Sequence, residues 1–108
     1  MSSVKTVGSN DFQAEVLDAK GLVVVDFSAT WCGPCKRMFP ELEAAAAEVG
    51  AGAKVVKIDV DESPEIATQY GVQGIPNLTF LKEGKVVDVA VGAMPKAQIL
   101  TRIKRNLA

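Results

Sequence analysis

A chain of 108 residues, 48% hydrophobic and 23% charged, has the size and balance of one soluble globular domain, so residues 1–108 read as a single unit able to bury a core without staples. Twelve Lys and Arg against thirteen Asp and Glu leave a formal charge of −1, which argues against a nucleic-acid or anionic-membrane partner. Histidine is absent, which removes Ser-His-Asp and Cys-His nucleophile arrangements and every His-containing metal site, and two cysteines cannot by themselves fill a tetrahedral zinc site.

In chain order, Val4–Val7 reads as a short strand ended by Gly8. Ser9 or Asn10 caps a helix from Asp11 to about Ala19, with Phe12, Val16 and Leu17 as its apolar stripe and Gly21 as its stop. Leu22–Ser28 is apolar on both pleat faces, the pattern of a central buried strand. Residues 29–50 form a long helical stretch rich in Ala, Glu and Leu, with a kink expected at Pro40. Lys54–Val60 is a second central strand, and Ser63-Pro64 are the N-cap and first residue of a short helix ending at Gly71.

Asn77–Lys82 and Lys85–Val91 flank the turn Glu83-Gly84 and should pair as a hairpin. Pro95 opens a last helix whose Ile99, Leu100, Ile103 and Leu107 share a face. The order is βαβαβαββα, an α/β fold with a mixed sheet and helices on both faces. Repeats, low-complexity tracts and linkers are absent. Apolar runs such as Leu22–Val25 fall far short of the ~20 residues a membrane span needs. The opening residues carry neither an h-region nor an Arg-rich amphipathic stretch, so the expected location is cytoplasmic.

Trp31-Cys32-Gly33-Pro34-Cys35 carries the densest chemistry. Two intervening residues place the sulfurs at i and i+3 of a first helical turn, close enough to bond. Unpaired N–H groups and the positive end of the helix dipole favour a thiolate there. Cys32, at the cap and open to solvent, is the expected nucleophile toward an incoming disulfide. Cys35, one turn deeper and shielded, then attacks Cys32 and releases the reduced target. Pro34 suits a first turn and Gly33 leaves room for another backbone. C-x-x-C beside a βαβ pattern is a recognised redox signature. A half zinc site lacks its second pair, the haem pattern fails because Lys36 follows Cys35, and a purely structural bridge over so short a loop would constrain little.

Asp26 interrupts the apolar strand six residues before Cys32. Burial would raise its pKa toward neutrality, fitting it to take the proton from Cys35, with Lys57 of the neighbouring strand as countercharge. The plainer alternative has Asp26 pointing outward from a frayed strand end and Lys57 solvated on an edge. Trp31 has two readings as well, a core aromatic or a surface ring beside Cys32. Ile75-Pro76 precedes a strand, and from the residues alone an ordinary trans turn proline is the simpler reading.

Val25-Asp26-Phe27, the stretch Ala29-Thr30-Trp31-Cys32-Gly33-Pro34-Cys35-Lys36, Pro40, Lys57-Ile58-Asp59-Val60-Asp61, Tyr70-Gly71-Val72, Gly74-Ile75-Pro76, Phe80, Gly84 and Val91-Gly92 recur in this order across nearly the whole chain. In these residues the chain resembles the thioredoxin family. The resemblance implies a five-stranded mixed sheet with four helices and a general protein-disulfide reductase, monomeric, holding no bound cofactor and recharged by thioredoxin reductase at the expense of NADPH. It also implies that Pro76 is cis and lies against the cysteines. Trp31, Gly33, Pro34, Gly74, Ile75, Gly92 and Ala93 would then form an apolar docking surface for disulfide-containing targets and the reductase.

Three departures from the family pattern stand out. Ser28 stands where many members carry a second Trp, and Asn77 replaces a usual Thr after the proline. Met94-Pro95 replaces a polar cap, an expected loss of ~1 kcal/mol. Two other functions fit part of this pattern: an oxidase or isomerase of an oxidising compartment, against which Pro34 speaks, and a binding module without turnover.

Overall fold

Leu22–Ser28 forms strand β2 and is buried at all seven positions, as a strand apolar on both faces requires. It pairs in parallel with β3 (Lys54–Asp59) and antiparallel with β4 (Asn77–Lys82). The computed structural model describes residues 3–107, and its sheet has the order β1-β3-β2-β4-β5, with β1 at Lys5–Thr6 and β5 at Lys85–Val91. Three α-helices, α1 (Gly33–Val49), α2 (Pro64–Gln69) and α3 (Lys96–Leu107), flank this mixed sheet together with one π-helical segment, Gln13–Leu17. No helix among the described residues is long and apolar enough to cross a membrane.

The period of two along β2 divides the core. Leu22 and Val24 pack on one face with Met38 and Leu42 of α1 and Ile99 and Ile103 of α3. Val23, Val25 and Phe27 pack on the other with Val16, Ile58 and Ile66. Asp26 therefore lies on the α1 side of the sheet, and so does Lys57, two residues after Val55.

The hairpin forms as its turn residues require, with φ of 50° at Glu83 and 79° at Gly84. Its register slips after Phe80, which opposes Asp88 while Leu81 opposes Val86, so Val87 is a bulge that alternation along Lys85–Val91 does not announce.

Several boundaries differ from the sequence reading. β1 is only Lys5–Thr6, although Val4 and Val7 on either side are buried and Val7 still donates to the Lys57 carbonyl at 2.8 Å. The expected helix from Asp11 to Ala19 is the shorter π-wound segment, closed by Asp18 N–H on the Gln13 carbonyl. Neither Ser9 nor Asn10 caps it. Asp11 instead turns back to accept the Gly8 N–H at 2.8 Å, and the Ser9 hydroxyl goes to Glu65. α1 begins at Gly33 and not Ala29, and it runs unbroken through Pro40, whose ring is exposed. Leu107 leaves the apolar face of α3 and is 42% exposed at the helix end.

The cap expected to be missing from α3 is supplied by another helix. Glu41 of α1 accepts the Lys96 N–H at 2.8 Å, so the orphan donor beyond Met94-Pro95 is satisfied through tertiary structure. Glu41→Ala should therefore destabilise the protein by ~1 kcal/mol in urea unfolding, and Glu41→Gln by clearly less. Equal losses in the two variants would show that the contact contributes no cap. At the opposite side of α3, Arg102, Arg105 and Asn106 converge on Asp88 of β5, and the Arg102 guanidinium above all holds that carboxyl well below the usual range.

Candidate active site

β2 ends at Ser28, and Ala29–Trp31 carry the chain to the N-terminus of α1, where Cys32 is the N-cap residue in extended conformation (φ −86°, ψ 107°). A helix start leaves its first N–H groups without intrahelical partners. One of them, Cys35 N–H, donates to Cys32 Sγ at 3.1 Å. Pro34 occupies the first turn, where its missing N–H costs nothing. Cys32 and Cys35 are joined as a disulfide with Cα atoms 5.3 Å apart, the spacing that i and i+3 on one turn predict. The expected contrast in exposure is not seen in this oxidised form: each cysteine is 4% exposed. Both cysteines pack in one buried cluster with Ala29, with Val60 and Ile75 against it, so the cap position alone does not open Cys32.

Asp26 is 1% exposed, and its Oδ1 has no hydrogen-bond partner. Desolvation raises its pKa to about 7, against the smaller opposing pull of the Lys57 charge. The outward-pointing alternative for Asp26 is thereby excluded. Lys57 is not an edge residue either, because β3 lies between β1 and β2. It is the register partner of Asp26, half-buried, with Nζ 4.5 Å from the centroid of the Phe39 ring. Asp26, Lys57, Cys35 and Phe39 line one cavity of about 340 Å³, with Ser28 and Thr30 contributing hydroxyls. The sequence reading missed Phe39; the signal was its i+4 spacing from Cys35, which puts both on one face of α1.

The Ile75-Pro76 bond is cis, as the resemblance implied and the residues alone did not. Ile75 packs against Ala29, Cys32 and Cys35, while Pro76 is buried and its carbonyl accepts the Gly92 N–H at 2.8 Å. At Gly74 a Cβ would stand 3.1 Å from Val91 Cγ1, so a larger residue there would have to push that exposed side chain aside. Asn77 is buried and accepts the Thr79 hydroxyl at 2.7 Å, which absorbs the departure at that position.

Trp31 is 69% exposed, so it is a surface ring and not a core aromatic. Its Nε1–H donates to Asp61 Oδ2 at 2.7 Å, a tether across thirty positions that no local pattern marked. Pro34 and Ala93 are exposed too, and Gly33, Gly74 and Gly92 half-buried. Among the described residues no group of three or more His, Cys, Asp or Glu side chains is placed to hold a metal ion.

The thioredoxin family model matches residues 3–105. The chain belongs to the thioredoxin family. It is 41% identical over 107 residues to thioredoxin 1 of Nostoc sp., covering 99% of this chain and 100% of that protein. Similarity to the thioredoxin of Bacillus subtilis reaches 45% with the same coverage, and to that of Chlorobaculum thiosulfatiphilum 45% over 90% of each chain. As in a thioredoxin, the Cys32–Cys35 pair makes the protein a thiol-disulfide oxidoreductase that works by dithiol-disulfide exchange.

Proposed function

We propose that this member of the thioredoxin family is a general protein-disulfide reductase in which Cys32 attacks and Cys35 resolves. The observation that carries the reading is the Cys35 N–H aimed at Cys32 Sγ: a donor already on the sulfur, at the positive end of α1, stabilises that sulfur as the anion when the bridge is reduced. The Cys32 thiolate attacks one sulfur of a target disulfide, forming a mixed disulfide and expelling the other target sulfur as thiolate. Cys35 gives up its proton and attacks Cys32 Sγ, which restores the Cys32–Cys35 bridge and releases the second target thiol.

Asp26 is the acceptor for the Cys35 proton. Support comes from its burial, its unpartnered oxygen and the cavity it shares with Cys35. Lys57 is the countercharge that keeps the ionised form of Asp26 accessible. Trp31, Gly33, Pro34, Gly74, Ile75, Pro76, Gly92 and Ala93 form the docking surface, on which an extended target segment pairs with the Ile75 backbone as an added strand. The chain is one domain, monomeric and cytoplasmic, with electrons delivered from NADPH by a thioredoxin reductase.

The test is NADPH oxidation coupled through a thioredoxin reductase to reduction of a protein disulfide. Turnover that requires this chain supports the reading. A reduction potential well above the glutathione poise would point to an oxidase instead, each ~30 mV corresponding to ~1.4 kcal/mol. Full complementation by a Cys32→Ser, Cys35→Ser double variant would leave only a binding module.

A further inference from the structure

Phe39 leaves α1 on the same side as Cys35, four residues earlier, and lines the cavity beside Asp26. Its ring lies against the Lys57 ammonium, at 4.5 Å from Nζ to centroid. Lys57 and Asp26 are register partners on the same side of adjacent strands, so one flexible lysine stem can reach either the ring or the carboxylate. In the structure the ammonium is on the ring, and Asp26 Oδ1 is left without a partner. The aromatic face and the carboxylate thus compete for one cation.

Other charged groups do not take over that role. Lys36 and Cys35 of α1 and Asp59 of β3 line the same cavity, Ser28 and Thr30 bring only hydroxyls, and Leu78 is the register partner of Asp26 on β4. From α3 the buried residues on this side are Ile99 and Ile103. Of the charges, Lys57 is the one that acts on Asp26.

We propose that Phe39 is a positioning residue: by holding the Lys57 ammonium on its ring it denies Asp26 a direct ion pair, so the carboxyl stays a proton carrier and does not become a fixed anion. The consequence for turnover rests on the relay role given to Asp26 above, but the hold of the ring on Lys57 does not.

The experiment titrates the Asp26 carboxyl by carbon NMR in the oxidised full chain. Phe39→Leu should move the Asp26 midpoint down by about one pH unit, as the freed ammonium pairs with the carboxylate. Phe39→Tyr, which keeps an aromatic face, should leave the midpoint in place. In a Lys57→Met background the effect of Phe39→Leu should vanish. A midpoint unmoved by Phe39→Leu overturns the proposal, and so does a drop that persists without Lys57, because the ring would then only exclude water. The pH dependence of mixed-disulfide resolution is read separately. If resolution ignores the Asp26 midpoint, the relay fails while the positioning of Lys57 by Phe39 still stands on the titration.

Discussion

Cys32→Ser should lower the rate of protein-disulfide reduction by roughly 10³-fold or more, because the remaining thiol, Cys35, sits inside the first turn of α1 and not at the N-cap position whose sulfur receives the Cys35 N–H. Cys35→Ser should behave differently. Its Cys32 still attacks, but nothing displaces the target from the mixed disulfide, so a covalent complex accumulates with a stoichiometry near one and is released by an added thiol. The asymmetry follows from α1: the Cys35 N–H that stabilises the Cys32 sulfur is main chain and survives both substitutions. The measurement is non-reducing electrophoresis with a disulfide-containing target, alongside alkylation rates of the remaining thiol. Should the Cys35→Ser protein turn over normally, or the Cys32→Ser protein trap target as readily, the roles given to the two sulfurs would be wrong.

The second large effect concerns Asp26 and is read on the oxidised protein, where the cysteines do not titrate. Burial raises the Asp26 pKa from 3.8 to about 7, so the native state holds a proton that the unfolded chain has already lost. The stability difference therefore has a defined direction. Below the unfolded value both states are protonated and no penalty exists. Between about pH 4 and pH 7 the unfolded state binds fewer protons, and native stability falls as pH rises. Above about pH 7 the penalty is fully developed, on the order of 4 kcal/mol at most.

Asp26→Ala should accordingly stabilise the oxidised protein at pH 8.5 by a few kcal/mol, of order 3 after the small void it leaves, with most of that gain gone at pH 4. Urea unfolding at the two pH values reads the difference directly. An equal gain at both would mean that the carboxyl titrates normally. In the reduced protein the same substitution should slow resolution of the mixed disulfide by ~10²-fold near neutral pH, the usual contribution of a positioned base. The residue that destabilises the fold is thus the one to which the proposed mechanism assigns the Cys35 proton.

Patterns within a few residues carried most of the architecture. The run Leu22–Phe27, apolar at every position but Asp26, specified a central strand, Glu83-Gly84 specified a hairpin, and the spacing of Cys32 and Cys35 at a strand-to-helix junction specified the redox pair. Each is a local rule, written in pleat period, turn conformation or helical rise. The burial of Asp26 was legible in part: a lone carboxylate between apolar residues points to it, and the structure removes the alternative of an outward side chain at a frayed strand end.

Contacts between segments distant in sequence were decided by the tertiary structure. The cap of α3 comes from Glu41, fifty-five positions away, and the tether of Trp31 comes from Asp61. Cys32 is covered because Ile75 reaches it from another loop, so exposure at a helix cap could not be judged from the cap itself. Lys57 rests on Phe39 and not on Asp26, a choice between two partners on the same side of the sheet that strand register permits but does not make. Periodicity states which way a side chain points. What it meets there depends on how separate elements pack, and that is set by the whole core together.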